Sequence, residues 1–168
     1  MTHRSKFSTL RLINTAVLIG ACLFLATISV SAQTTRKAAA KDDDPVFLEY
    51  RGIQIGWFAD EVRKKLGAPK DEGDEQDFYV FGEKETCQVL YDKTTRKVTA
   101  ISIDFMNGAN SVITPQQVFG SDVESKPDGS KYKLVRYPKA GYWVSYSRTA
   151  GDTPIVTITM QRYQTGPQ

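Results

Sequence analysis

Histidine is almost absent from this chain: the single copy, His3, precedes an apolar run at the N-terminus, and nothing after it supplies an imidazole. Without one, a Ser-His or Cys-His nucleophile pair is excluded, and so is the usual zinc ligand set. Cysteine is nearly as scarce, with only Cys22 and Cys87. Cleavage after Ala32 would leave Cys87 alone, so no internal disulfide forms even in a compartment that permits one. Cys87 lies in a strand-like run and reads as a small buried hydrophobe; a thiol paired with another chain is the alternative. An excess of one charge is also missing. Of 22 Lys+Arg, three (Arg4, Lys6 and Arg11) precede Gln33 with no acidic residue among them, which leaves 19 basic against 19 acidic residues. That balance removes the electrostatic footprint of nucleic-acid binding. Beyond residue 32 there is neither a Gly-rich phosphate loop nor an amphipathic membrane helix, and no cofactor or metal is expected.

What is present begins with a targeting segment. A basic start, an uncharged apolar run from Leu12 to Val30 and the small residues Val30-Ser31-Ala32 predict a signal peptide over 1–32 and export to the periplasm or beyond. Two alternatives stay open. The apolar run is long enough to remain as a membrane anchor, and Ile19-Gly20-Ala21-Cys22 passes as a lipobox that would lipidate Cys22. Residues 33–45, with three alanines and Asp42-Asp43-Asp44, show no apolar periodicity and read as a disordered linker.

The folded part is organised around Gly52 to Pro69. Ala59, Val62 and Leu66 form an apolar stripe at helical spacing. Asp60 with Lys64 and Glu61 with Lys65 are acid-before-base pairs four apart. Gly67 suits the residue past a helix end, and Pro69 forbids continuation. The pattern Gly-x-x-x-x-Glu-Val-x-x-x-Leu-Gly-x-Pro from Gly56 to Pro69, preceded by Ile53 and Ile55, resembles the helix signature of the BamE (SmpA/OmlA) family of small envelope lipoproteins. The same helix-on-sheet unit, duplicated, is similar to the beta-lactamase inhibitor protein architecture. The chain departs from the family at Phe58, where a capping Ser or Thr is usual. The resemblance implies a binding role in envelope assembly.

Strand-like runs follow at 77–81, 86–91 and 97–106, separated by short polar turns that favour an antiparallel meander. A shorter helix is predicted at 114–120, with Thr114 as cap and Pro115 as first helical residue. Three more runs follow at 131–137, 142–148 and 154–163, and Val62, Tyr91 and Ile101 recur as Val118, Tyr146 and Ile158. The expected fold is α+β, as two tandem helix-plus-three-strand units over 46–108 and 109–168.

Two clusters are candidates for function. Asp71, Glu72, Asp74, Glu75 and Asp77 lack the spacing of an EF-hand and read first as a solvated acidic loop, with weak calcium binding as the alternative. Rings crowd the second half, where Arg136, Tyr137, Tyr142 and Trp143 flank a Pro-Lys-Ala-Gly turn. Tyr, Trp and Arg are common interface anchors, so these four are the candidate partner-binding site; filling a Leu-poor core is the competing role. The sequence therefore predicts a non-enzymatic exported protein that binds another envelope protein. An inhibitor-like module that clasps an exported enzyme on its sheet face, and a carboxylate-dependent hydrolase, are the alternatives.

Overall fold

The first helix, α1 (Ala59–Leu66), starts without a side-chain cap; instead the Glu61 carboxylate accepts the Phe58 N–H at 2.8 Å. It ends at Gly67, whose φ of 87° suits glycine and whose N–H donates to the Arg63 carbonyl at 2.9 Å. Only Ala59 and Val62 are buried on it; Leu66 is half-buried at the rim. The computed structural model describes residues 44–163, so the signal-peptide and Cys22 readings, and most of the 33–45 linker, lie outside the described residues.

The strands are β1 (Asp71–Glu72), β2 (Gln76–Gly82), β3 (Glu85–Tyr91), β4 (Val98–Phe105), β5 (Lys131–Tyr137), β6 (Tyr142–Arg148) and β7 (Val156–Arg162). Between β4 and β5 lies α2 (Pro115–Phe119). Thr114 and Gln117 cap it reciprocally, and Gly120 closes it in the left-handed conformation at φ 68°.

The expectation of two tandem units is corrected here. All the strands form one antiparallel sheet in the order β1-β2-β3-β4-β7-β6-β5, and the helices are short, of 8 and 5 residues. The meanders β2-β3-β4 and β5-β6-β7 meet because β4 pairs with β7 along its length, Ile103 opposite Ile158 at the middle. The physical reason is the strand edges. Separate three-stranded units would each leave an apolar edge strand unpaired, with Ile101, Ile103 and Phe105 on one and Val156, Ile158 and Met160 on the other. Joining them buries all six residues in one continuous core.

That core lies on one face of the sheet. Alternate residues of every long strand point into it: Tyr79, Cys87, Val89 and Tyr91, then Ile101 and Ile103, then Val144 and Tyr146, then Ile158 and Met160. The N-terminal segment Phe47–Ile53 contributes Phe47, Tyr50 and Ile53 to the same side, as do both helices. Tyr50 and Ile53 exchange two backbone hydrogen bonds at 3.0 Å around a tight turn, with Arg51 at φ 49° and Gly52 at φ 81°.

Candidate functional site

Among the described residues, the opposite face of the sheet has no helix on it. The register places its side chains in three rows of six. One row runs Arg136, Trp143, Gln161, Ala100, Leu90, Gln76. The next runs Leu134, Ser145, Thr159, Ser102, Gln88, Phe78. The third runs Tyr132, Ser147, Thr157, Asp104, Thr86, Val80. All are exposed or half-buried except Ala100, whose small side chain is shielded by its neighbours. An antiparallel sheet tolerates such a one-sided arrangement.

The middle of this face is a floor of hydroxyls and amides that bond to one another across strands. Ser102 and Thr159 share a hydrogen bond of 3.2 Å, Thr157 donates to Asp104 at 2.6 Å, and Gln88 donates to Gln76 at 2.9 Å. The flanking strands carry larger apolar groups, with Val80 48% and Tyr132 57% exposed. Arg136 and Asp104 are the charged side chains of the three rows, and Asp71 of β1, paired with Phe78, adds a third at the end of the middle row. Hydroxyl side chains thus fill the middle of the face, and larger groups stand on the outer strands.

The four sequence-predicted site residues do not share this face. Arg136 pairs with Trp143 and Tyr137 with Tyr142, so the two pairs are neighbours along the strands and point to opposite sides. Arg136 is exposed and Trp143 half-buried on the open face, whereas Tyr137 and Tyr142 are 8% and 7% exposed within the core. Their rings meet at 6.2 Å, and burial pushes both phenol groups above their ordinary pKa. Tyr146, also core-facing, is buried with them. What the sequence reading passed over is the floor itself. Its signal was there, in Thr86 and Gln88, Ser145 and Ser147, and Thr157, Thr159 and Gln161, spaced two apart along their strands.

The acidic cluster separates as well. Asp77 is fully buried, and its carboxylate accepts Arg63 Nε and Nη2, both at 2.8 Å, and the Tyr91 hydroxyl at 2.8 Å. Burial would raise this carboxyl, but the guanidinium, the Tyr91 hydroxyl and the Gly73 N–H together hold it below the usual carboxylate range. Arg63 also donates to the Gly73 carbonyl at 3.0 Å and pairs with Glu72 at 2.9 Å, tying α1 to β1 and β2. Glu75 pairs with Lys93, and Asp74 with Arg96. Among the described residues no three His, Cys, Asp or Glu side chains converge as a metal site would need. Asp77 thus serves as a clasp under the helix. Its arginine is 14 residues away, a pairing no local motif announces.

Two further groups lie away from the open face. Cys87 is buried and free, and burial pushes its thiol up to about 12. The Arg51 guanidinium stacks 4.1 Å over the Phe81 ring and pairs with Glu85 at 2.6 Å, which locks the tight turn to the β2–β3 end of the sheet. Compared with protein-family models, with curated proteins and with solved structures, the chain matches none.

Proposed function

We propose that the chain is an exported, non-catalytic binding protein of the bacterial envelope that holds a protein partner against the open face of its sheet. The observation that carries this is the scarcity of charge on that face. Three charged side chains, Arg136, Asp104 and Asp71, stand among its nineteen paired positions, although 24% of the chain is Asp, Glu, Lys or Arg. A face meant only for water has no reason to exclude Lys and Glu. Depletion of charge, with Trp, Tyr and Arg retained, is the composition of an interface core. Trp143 beside Arg136 is the anchor of the surface, and the hydroxyl floor supplies hydrogen bonds.

Export rests on the basic, apolar and small-residue order of 1–32, and the envelope-assembly role on the helix pattern of Gly56–Pro69. The lack of histidine after His3 supports the non-catalytic part. The test is capture from a Gram-negative envelope extract by the immobilised chain. Thr159→Lys places a charge at the centre of the face, and Lys64→Glu changes the helix side. Capture should fail with the first and persist with the second, while both keep native circular dichroism. Equal capture by both variants overturns the assignment. A partner that is an enzyme, and loses activity when captured, would assign the inhibitor-like role on the same face.

A further inference from the structure

Among the described residues, the sheet ends on an open strand. β5 pairs with β6 on one side; on the other, among the described residues, only Lys131 meets a neighbour, through a bridge to Ser125. At the opposite end the two-residue β1 covers only Asp77 and Phe78 of β2, and it is the charge beside β5 that sets the two edges apart. An open edge presents alternate N–H and C=O groups to any extended chain that approaches it.

The charge around this edge has one sign. From Lys131 to Gly151 the chain carries five cations (Lys131, Lys133, Arg136, Lys139 and Arg148) and no carboxylate. Residues 46–108 hold 9 Lys+Arg against 12 Asp+Glu, whereas 109–168 hold 7 against 4, so the two halves are oppositely charged. Two of the five cations are engaged. Lys133 stands 4.7 Å over the Phe119 ring and donates to Ser121 at 3.2 Å, and Arg148 donates to the Gly129 carbonyl at 2.8 Å. Arg136 and Lys139 are exposed, and among the described residues neither has a carboxylate within ion-pair distance. Tyr132, 57% exposed, stands on the same strand, with Leu134 beside it on the open face.

We propose that the β5 edge takes an extended acidic polypeptide segment as an added strand, its carboxylates meeting Arg136 and Lys139 and its apolar side chains lying against Tyr132 and Leu134. Charge complementarity selects an acidic occupant, and the unpaired backbone selects a polypeptide. A nucleic acid or an anionic lipid would engage the cations but leaves the strand edge unpaired. The inference rests on the binding-protein reading and names the chemistry of the partner's docking segment.

The test uses the full chain and a fluorescein-labelled octapeptide Val-Thr-Val-Thr-Glu-Thr-Glu-Thr, which sets two valines and two glutamates on one face as β5 sets Tyr132, Leu134 and Arg136, with the same peptide carrying Lys for Glu as its counterpart. Fluorescence anisotropy should show the acidic peptide bound and the basic one not. Arg136→Glu with Lys139→Glu should weaken the acidic peptide by at least about tenfold at low salt and let the basic one bind. Hydrogen exchange should slow at backbone amides within 132–137 on addition of the acidic peptide. Unchanged affinity in the double variant, or binding without new protection in β5, overturns the proposal. So does tighter binding of single-stranded DNA or phosphatidylglycerol vesicles, or β5 protection by a second copy without peptide. If the peptide fails while capture through the sheet face still depends on Thr159, the edge proposal falls and the binding function stands. Failure of both removes the function itself.

Discussion

Replacing Arg63 by alanine would strand the fully buried carboxylate of Asp77 beneath α1. In the native chain that carboxylate has two hydrogen bonds from Arg63 and one from Tyr91, each at 2.8 Å. These outweigh the effect of burial, and the carboxyl sits below its ordinary range. Its unfolded value is about 3.9. The stability contributed by the pair is therefore present above that pH and is lost as pH falls through the lower native value. Without Arg63 the sign reverses: burial dominates, the native value rises above the unfolded one, and the carboxyl is tolerated best when protonated. Stability would then be fullest below about pH 4 and decline as pH rises through the raised value. Removing one partner of a buried pair costs about 3–5 kcal/mol. The Arg63 side chain is 21% exposed, and protonation gives Asp77 an escape, so the lower end, about 3 kcal/mol at pH 7, is expected. A domain with about 5–15 kcal/mol of stability remains folded under that loss. Urea titrations would show the midpoint falling by about 1–3 M at pH 7, given slopes of about 1–3 kcal/mol/M, and by much less near pH 4. Arg63→Met with Asp77→Leu should recover most of the loss, since an apolar pair leaves no stranded charge. A drop of equal size at both pH values, or none at pH 7, would refute the clasp.

The remaining expectations are simpler. Val62→Ala should destabilise by about 2 kcal/mol because Val62 is fully buried, whereas half-buried Leu66→Ala should lose only about 1 kcal/mol; denaturation midpoints decide the order. Gly52→Ala should cost about 1–2 kcal/mol, since φ is 81° and its added Cβ would lie 2.5 Å from Lys65 Cε; thermal unfolding measures it. The Cys87 thiol, pushed up to about 12 by burial, should resist a thiol-specific dye in the folded chain and react once urea is added.

The secondary elements were legible because their signals are local. Thr114-Pro115 and Gly120 mark both ends of α2, and alternation marks each strand of the meanders. Their assembly was not legible. Which edges join depends on the apolar surface of β4 and β7 considered together, and those strands lie more than fifty residues apart. The candidate site was half legible for a related reason. A cluster of rings in the sequence draws the eye, but one residue along a strand reverses the face, so Trp143 and Tyr142 part company. The polar floor drew none, because Ser and Thr at alternate positions look like an ordinary wet sheet until their rows align and the missing charge shows. Arg63 and Asp77 find each other only in three dimensions, which is why Asp77 had read as one acid of a solvated loop.

The most direct measurement of the central claim is site-specific photo-crosslinking in the intact envelope. A benzophenone side chain at Ser145 or Ser102, both on the floor of the open face, should form adducts with one partner protein; the same probe at Lys64, on the exposed side of α1, should not. Adducts from Lys64 and none from Ser145 and Ser102 would contradict the account, for the open face would then carry no partner.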